Sequence, residues 1–365
     1  MVMLDLAVAL RTSQPQLHQT ILSGWDFSLG PSPALPGIDL KLIPVTRNNI
    51  HHTGTLAMGQ FLWRGARAFR SVDPSTYEIV HFHFSVPTGI LAPLSRGKPY
   101  VCSLHGIDVP HFVSEAALFQ TLVAPINRRI LSGAARLFAP SRHIAETVLR
   151  ACPAAAVEII PHGVAASSFH KKTSYPKFAR RFVTIARLLP WKRVGNVIEA
   201  IVDLHKTIPD VTLTIFGEGD LRSSLEDLIS ASRAEAYVSL NGFVSKERLQ
   251  ATLCTYDAFV LPSISEAFGL VFLEAMAAGL PVVAFDFGGP TDIITPGVDG
   301  LLIKRDAVED LVQVLGDLAT TPNQAAELGN GAWRAATQRF SWTAISKRYF
   351  SAYESVLAER GVRAS

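Results

Sequence analysis

The chain has 365 residues, which is more than one ordinary hydrophobic core accommodates, so its length predicts two domains. Hydrophobic residues make up 48% of the chain and charged residues only 18%, which excludes an intrinsically disordered protein. The net charge of +3 is too small to indicate a nucleic-acid-binding protein.

The sequence also predicts a cytoplasmic location. No apolar run reaches the roughly 18 residues that a membrane-spanning helix needs. The opening MVMLDLAVAL carries Asp5 and has no basic residue before its apolar run, so we expect no signal peptide. The three cysteines are far apart and form no CxxC pair, which favours a reducing compartment and argues against a structural zinc.

Strand-like apolar runs alternate with helical periodicities along the chain. The residues MVMLDLAVALRTS predict an opening helix, and a last helix is predicted at about 342–359. Strands are predicted at 18–24, 39–45, 77–84, 98–106, 135–141 and 156–163, and then at 181–187, 211–219, 236–243, 258–263, 281–287 and 300–304. This alternation predicts an α/β protein with parallel, doubly wound sheets in two Rossmann-like halves.

A polar, basic stretch at 166–181 interrupts the pattern and is predicted to be the interdomain linker. We therefore expect a first domain at 1–170, a second domain at 171–340, and a C-terminal helix and tail at 341–365. Open α/β sheets bind ligands at the carboxyl ends of their strands, so candidate site residues are sought there.

The richest segment is SISEAFGLVFLEAMAAGLPVVAFDFGGPTDII at 263–294, which carries two glutamates eight positions apart. On one regular helix they would point about 80° apart. We therefore expect Glu266 in a loop and Glu274 inside a helix that starts near Gly269 and ends at Gly279. Two such carboxylates suit two separate sets of sugar hydroxyls on one ligand.

Upstream, IARLLPWK ends a strand with Arg187 and places Lys192 five residues later in a loop. Two cations of different reach suit the two phosphates of a nucleotide diphosphate. The sequence contains no Asp-x-Asp, so nothing in it indicates a chelated divalent metal, and no cofactor is expected.

These segments resemble glycosyltransferase family 4, retaining nucleotide-sugar transferases whose two Rossmann-like domains face each other across a cleft (the GT-B fold). The resemblance covers roughly residues 77–350 and rests on SEAFGLVFLEAMAAGLPVVA, the Gly-Gly turn after it and GVDGLLI, in the family's order. It implies that Glu266 binds the donor hexose, that Glu274 binds the nucleotide ribose, and that Arg187 and Lys192 neutralise the leaving diphosphate. The same motif assigns Phe268, Gly269 and Leu270 to the donor, and the fold implies a C-terminal helix that crosses back to the first domain.

Three further residues resemble family positions at the donor. Gly217 lies in FGEGD and resembles the loop that faces the nucleotide, although a plain strand-to-helix turn explains it almost equally well. Phe243, in NGFV, resembles the segment against the base, and a core aromatic at a strand end is the alternative. His105, in SLHGID, matches the histidine that contacts the donor sugar near the reacting carbon.

Acceptor-side roles are considered for Asp108, His81 and His83. Asp108 is close enough in sequence either to orient His105 or to meet an acceptor hydroxyl. His81 and His83 alternate onto one strand face, and structural or acceptor-side roles are favoured over a metal site because the usual carboxylate partners of histidine ligands are absent.

The chain departs from the family pattern in three places. Ala186 stands where the family has glycine, and His162 stands where it more often has asparagine. The usual opening strand and Gly-rich loop have no counterpart in MVMLDLAVALRTS, so we expect an altered first sheet and weak transfer by this chain alone.

The sequence thus predicts a hexosyltransferase that moves a hexose from a UDP- or GDP-linked donor to a glycan or lipid-linked acceptor in polysaccharide or glycolipid biosynthesis. Residues 1–170 carry 13 Lys/Arg against 9 Asp/Glu. Within them, the helix that carries Arg64, Arg67 and Arg70 also has Trp63 and Phe69. Such a helix can contact the inner face of a membrane, and the alternative is an ordinary solvated helix face. Two alternatives stay open: a non-catalytic sugar-nucleotide-binding subunit of a partner enzyme, and a GT-B sugar-nucleotide epimerase, which the paired glutamates disfavour.

Overall fold

The computed structural model describes residues 2–26, 35–46, 55–109, 117–304 and 308–361. The chain forms two compact units, and the first combines Met1–Pro161 with Trp342–Ser365. The second unit is His162–Ser341. Among the helices within these described ranges, none has both the length and the apolar composition needed to cross a bilayer.

The first unit begins with the expected N-terminal helix and ends with the terminal helix of the chain. Its helices are α1 (Val2–Ser13), α2 (Thr55–Arg70), α3 (Ala117–Gly133), α4 (Arg142–Ala151) and the terminal helix α12 (Trp342–Glu359). Its strands are β1 (Thr20–Trp25), β2 (Asp39–Pro44), β3 (Val80–His83), β4 (Tyr100–Ser103), β5 (Arg136–Ala139) and β6 (Val157–Ile159).

These strands form two separate parallel sheets. One has the order β3-β4-β5-β6, and the other pairs β1 with β2. No strand in the described part of the chain joins β1 to β3, so each sheet ends at an edge strand there. Helix α2 packs against β1 and β2.

The terminal helix is part of the core of the first unit. Ile345, Tyr349 and Val356 of α12 are buried in one cluster with Leu6 and Leu10 of α1. Val101, Phe138 and Ile160 of the four-stranded sheet complete the same cluster. The expected C-terminal helix that packs in the first domain is thereby confirmed.

The second unit is a doubly wound, all-parallel sheet of order β12-β11-β10-β7-β8-β9. Its strands are β7 (Arg181–Ile185), β8 (Thr212–Phe216), β9 (Val238–Leu240), β10 (Ala258–Leu261), β11 (Val282–Phe285) and β12 (Gly300–Ile303). Its helices are α5 (Val194–His205), α6 (Arg222–Ala231), α7 (Lys246–Thr252), α8 (Leu270–Ala277), α9 (Pro290–Ile293), α10 (Val308–Thr320) and α11 (Gln324–Gln338). All residues of β10 and β11 are buried, as a sheet covered on both faces requires.

The stretch 166–181 differs from its expected role as a linker, because it is built into the second unit. Phe169 is buried in a core cluster, and Lys172 is only 4% exposed. The Lys172 ammonium donates to the carboxylate of Asp257 at 3.1 Å and to the Tyr256 carbonyl at 2.7 Å. The compact units divide at 161/162 and not near 170. The polar composition of the stretch did not reveal this, because a lysine can be buried when its charge is paired.

Candidate active site

The side chains predicted to act in the second unit gather at the carboxyl edge of its sheet. Arg187 follows β7, Gly217 follows β8, Phe243 follows β9 and Glu266 follows β10, while Glu274 lies in α8. Because all six strands are parallel, these ends lie at one edge, which is where open α/β sheets bind ligands.

An ion pair between Lys192 and Glu266 lies at the centre of this edge. The Lys192 ammonium donates to Glu266 Oε1, and the two side chains are only 16% and 12% exposed. The sequence assigned these residues to different parts of one ligand and did not predict that they contact each other. A cation and a carboxylate are thus held side by side at this edge.

Ser263 ties the two loops of this pair together, and the sequence reasoning missed it. Its hydroxyl is buried and lies 3.1 Å from the carbonyl oxygen of Trp191, the residue before Lys192. The backbone N–H of Ile264 donates to the same carbonyl at 2.9 Å. A serine two residues after an apolar strand and three residues before Glu266 is the only sequence signal of this anchor.

The Gly288–Gly289 turn supports the loop that carries Glu266. The Gly289 N–H donates to the Glu266 carbonyl at 2.9 Å. A Cβ on Gly289 would lie 2.3 Å from the Cα of Phe268, and one on Gly288 would lie 2.9 Å from the Glu266 carbonyl oxygen. Only glycine permits this close approach. The Gly-Gly turn was identified in the sequence, but its contact with the Glu266 loop was not predicted.

Phe268 contributes to the site by packing. Its ring is 2% exposed and meets the ring of His162 edge-on, with centroids 5.2 Å apart. His162 is itself buried, which fits the structural role expected for it. Together the two rings form the support beneath the Glu266 loop.

Glu274 and Glu266 have the local structure that the sequence predicted. Helix α8 begins after Gly269, whose φ of +104° and crowded Cβ position favour glycine. Leu270, the first residue of the helix, is 37% exposed, and Glu274 is half-buried one turn later. Glu266 lies in the loop before the helix, so the two carboxylates belong to different elements.

Backbone packing also explains Gly217. A Cβ there would lie 1.8 Å from the carbonyl oxygen of Ala186, and the Gly217 N–H donates to the Gly242 carbonyl at 2.8 Å. The turn therefore brings the segments that carry Arg187 and Phe243 together. Phe243 is 67% exposed, which contradicts the alternative of a core aromatic, and Arg187 is exposed as well.

In the first unit, His105 occupies a tight turn after β4 that Asp108 holds in place. The Asp108 carboxylate accepts the His105 N–H at 2.9 Å through one oxygen and the Ser85 N–H at 2.7 Å through the other. Asp108 is 5% exposed, and burial raises the pKa of its carboxyl. Of the two roles considered for Asp108, holding the His105 segment is the one that these contacts fit.

His81, His83 and His105 lie side by side and form the histidine cluster. The rings of His81 and His83 stack with centroids 4.4 Å apart, and His83 Nδ1 lies 3.3 Å from His105 Nε2. Burial lowers the pKa of His81 to about 3 and that of His105 to about 4, so both are neutral at pH 7. Within the described ranges, no group of three or more His, Cys, Asp or Glu side chains is placed to hold a metal ion.

Phe84 is a further residue that the sequence reasoning missed. Its ring lies against His105 with centroids 4.3 Å apart, and its φ of +74° is an outlier for a bulky residue. Its N–H donates to the Ser103 carbonyl at 2.9 Å, and its carbonyl accepts the Thr88 hydroxyl at 2.7 Å. Strained residues held in this way cluster at functional sites, although no sequence pattern reveals them.

Two family models cover most of the chain. The model described as "Glycosyltransferase Family 4" matches residues 25–168, and the one described as "Glycosyl transferases group 1" matches residues 167–334. The chain is 28% identical over 297 residues to a GDP-mannose-dependent alpha-(1-6)-phosphatidylinositol monomannoside mannosyltransferase from Mycolicibacterium smegmatis, covering 76% of each protein.

Solved structures show the same fold. A sucrose-phosphate synthase from Thermosynechococcus elongatus superposes with a TM-score of 0.79 at 21% identity, covering 97% of this chain and 92% of that one. HepE from Anabaena, solved in complex with UDP and glucose, gives a TM-score of 0.72 at 19% identity and covers 96% and 95% of the two chains. The chain belongs to glycosyltransferase family 4 and is a hexosyltransferase with the GT-B fold.

Proposed function

We propose that the chain moves a hexose from a UDP- or GDP-linked sugar to an acceptor hydroxyl with retention of configuration. The observation that carries this proposal is the Lys192–Glu266 pair at the carboxyl edge of the second sheet. A nucleotide diphosphate sugar presents phosphate to the lysine and hydroxyls to the glutamate. The relative that uses GDP-mannose and the neighbour that holds UDP and glucose support both donor types.

In the proposed mechanism, the protein supplies charge and orientation and no nucleophile. Arg187 and Lys192 stabilise the negative charge that develops on the leaving diphosphate. Glu266 accepts hydrogen bonds from the hexose, Glu274 accepts them from the ribose, and exposed Phe243 lies against the base. The departing phosphate removes the proton of the incoming hydroxyl on the same face of the sugar, which retains the configuration. These roles require no divalent metal and no cofactor.

His105 is proposed to contact the donor sugar. A neutral imidazole has one N–H donor and one acceptor nitrogen, so it can bind a sugar hydroxyl without adding charge near the reacting carbon. Gly217, Phe268, Gly269 and Leu270 contribute backbone and packing to the donor site. Asp108 and His83 act by holding the His105 turn and side chain, and His81 supports His83.

A non-catalytic subunit is the second candidate, and the two separate sheets that the described residues of the first unit form favour it. Such a protein would bind nucleotide sugars through the second unit and leave transfer to a partner enzyme. A panel of nucleotide sugars separates the two. We expect release of nucleotide diphosphate from one UDP- or GDP-linked hexose, at the same rate with and without EDTA. Donor binding without release would support the subunit, and loss of release in EDTA would contradict the metal-free mechanism.

Replacing Glu274 tests the ribose contact. We expect Glu274→Ala to weaken binding of the nucleotide diphosphate by about 1.5–3 kcal/mol, because the ribose hydroxyls lose a charged acceptor. Titration calorimetry measures this loss. Glu199→Ala is the matched control, since Glu199 is an exposed glutamate on α5 outside the proposed site. Equal affinity in the two variants would remove Glu274 from the donor site.

Replacing the two cations tests the stabilisation of the leaving group. We expect Lys192→Ala and Arg187→Ala each to lower kcat by about a hundredfold at saturating donor, since each cation acts on charge that develops in the transition state. Lys206→Ala is the control, because Lys206, directly after α5, makes an exposed ion pair with Asp203 of that helix. A large drop in melting temperature with unchanged kcat would assign Arg187 and Lys192 to structure.

We also propose that α2 touches an anionic membrane surface when the acceptor is lipid-linked. Trp63 is 69% exposed, and Arg67 and Arg70 are exposed at helical spacing from it, so the three share one face. Arg64 and Phe69 do not belong to this face, because Arg64 donates to the Pro44 carbonyl and Phe69 is buried. The mannosyltransferase relative, which is named for a phosphatidylinositol mannoside, supports such an acceptor.

Vesicle flotation tests this contact. We expect binding to phosphatidylglycerol vesicles that falls with salt, and loss of about 1 kcal/mol for each arginine removed in Arg67→Ser and Arg70→Ser. Arg248→Ser, at an exposed arginine on α7, should bind as the wild type does. Equal binding by all variants, or binding to neutral phosphatidylcholine alone, would refute the proposed face.

A further inference from the structure

The histidine cluster is connected to the terminal helix through both ring nitrogens of His81. His81 Nδ1 lies 2.7 Å from the hydroxyl of Tyr353, and Nε2 lies 2.8 Å from the hydroxyl of Ser103. Ser103 in turn lies 3.3 Å from the hydroxyl of Tyr349, one turn earlier on α12. All of these hydroxyls belong to buried residues of the first unit.

The partners of His81 determine its tautomer. A neutral imidazole carries one N–H and one lone pair, so one partner must donate and the other must accept. A phenol is a stronger acid than an alcohol, which makes Tyr353 the donor to Nδ1. The Nε2–H of His81 then donates to Ser103, and the ring is fixed at both nitrogens.

We propose that Tyr353 is a positioning residue for His105. It fixes the ring of His81, His81 stacks on His83, and Nδ1 of His83 lies within hydrogen-bonding distance of Nε2 of His105. This inference rests on the proposed role of His105 at the donor sugar. It gives the terminal helix a part in the reaction besides its part in the core.

His83 is a hydrogen-bonding partner of the His105 ring. The backbone of His105 is held by Asp108, and one side of its ring is covered by Phe84. In the His83–His105 bond, one nitrogen carries the proton and the other accepts it. Because this bond engages Nε2 of His105, the tautomer of His83 determines whether Nδ1 of His105 carries the proton and can donate it.

The test compares Tyr353→Phe with Tyr100→Phe in the full chain. Each variant removes one tyrosine hydroxyl from the first unit, where Tyr353 is buried and Tyr100 is half-buried. The Tyr100 hydroxyl donates to the Ile130 carbonyl at 2.7 Å, away from the histidine cluster. We expect Tyr353→Phe to lower kcat for donor turnover by about tenfold, the scale on which partners that orient a functional histidine act, with little change in KM. The ¹⁵N shifts of the His105 ring should move as well. Tyr100→Phe should change neither.

Two substitutions of His83 complete the test. Asn places an amide nitrogen where histidine has Nδ1 but has no ring for His81 to stack on, so His83→Asn should lose about as much activity as Tyr353→Phe. His83→Leu, which also loses the hydrogen bond to His105, should lose more. Unmoved His105 ring shifts in Tyr353→Phe, or equal losses in Tyr353→Phe and Tyr100→Phe, would overturn the proposal. If the wild type turned over no donor, the proposed function would fail, and the ring shifts would still decide whether Tyr353 positions His105.

Discussion

Close packing of backbone against backbone is the constraint on which the site of the second unit depends. At Gly217, Gly288 and Gly289, a Cβ would lie between 1.8 and 2.9 Å from backbone atoms of Ala186, Glu266 and Phe268. Because no side chain intervenes, the loops after neighbouring strands approach closely enough to hydrogen-bond each other. Loops braced in this way hold their functional side chains in a fixed geometry before the ligand arrives, which is how binding and catalysis avoid the entropy of ordering them later.

The Lys192–Glu266 pair depends on this bracing. Two opposite charges that are less than a fifth exposed have lost much of their hydration, and such pairs add little net stability when compared with apolar residues of the same volume. Their position at the carboxyl edge of the sheet is better explained by the donor site that is proposed there. In the proposed site, a donor would offer the lysine a phosphate and the glutamate hydroxyl groups, so each charge would exchange its partner without becoming unpaired. Under this proposal, the polar environment of the leaving group is present before the reaction begins.

The positions of strands and helices were predictable from the sequence, because hydrophobic periodicity and glycine or proline residues mark their boundaries. All twelve strands were expected close to where they lie, and Glu266 and Glu274 were assigned correctly to a loop and a helix, because apolar runs and glycines mark those boundaries. Contacts between distant residues were not predictable. Lys172 is buried because Asp257, 85 residues away, pairs with it, and His81 meets Tyr353 across 272 residues of sequence. The positive φ of Phe84 also follows from its surroundings and not from its residue type.

The two units prepare their functional groups by opposite electrostatic means. The second unit keeps charged side chains at its sheet edge, which suits phosphates and a departing diphosphate. The first unit presents histidines that burial keeps neutral, with pKa values near 3 for His81 and 4 for His105. If His105 contacts the donor sugar as proposed, a protonated ring would repel the positive charge that builds up on the anomeric carbon when the sugar–phosphate bond breaks. Burial, the Phe84 ring and the hydrogen bonds of the cluster keep His105 both oriented and uncharged, as its proposed contact with the donor sugar requires.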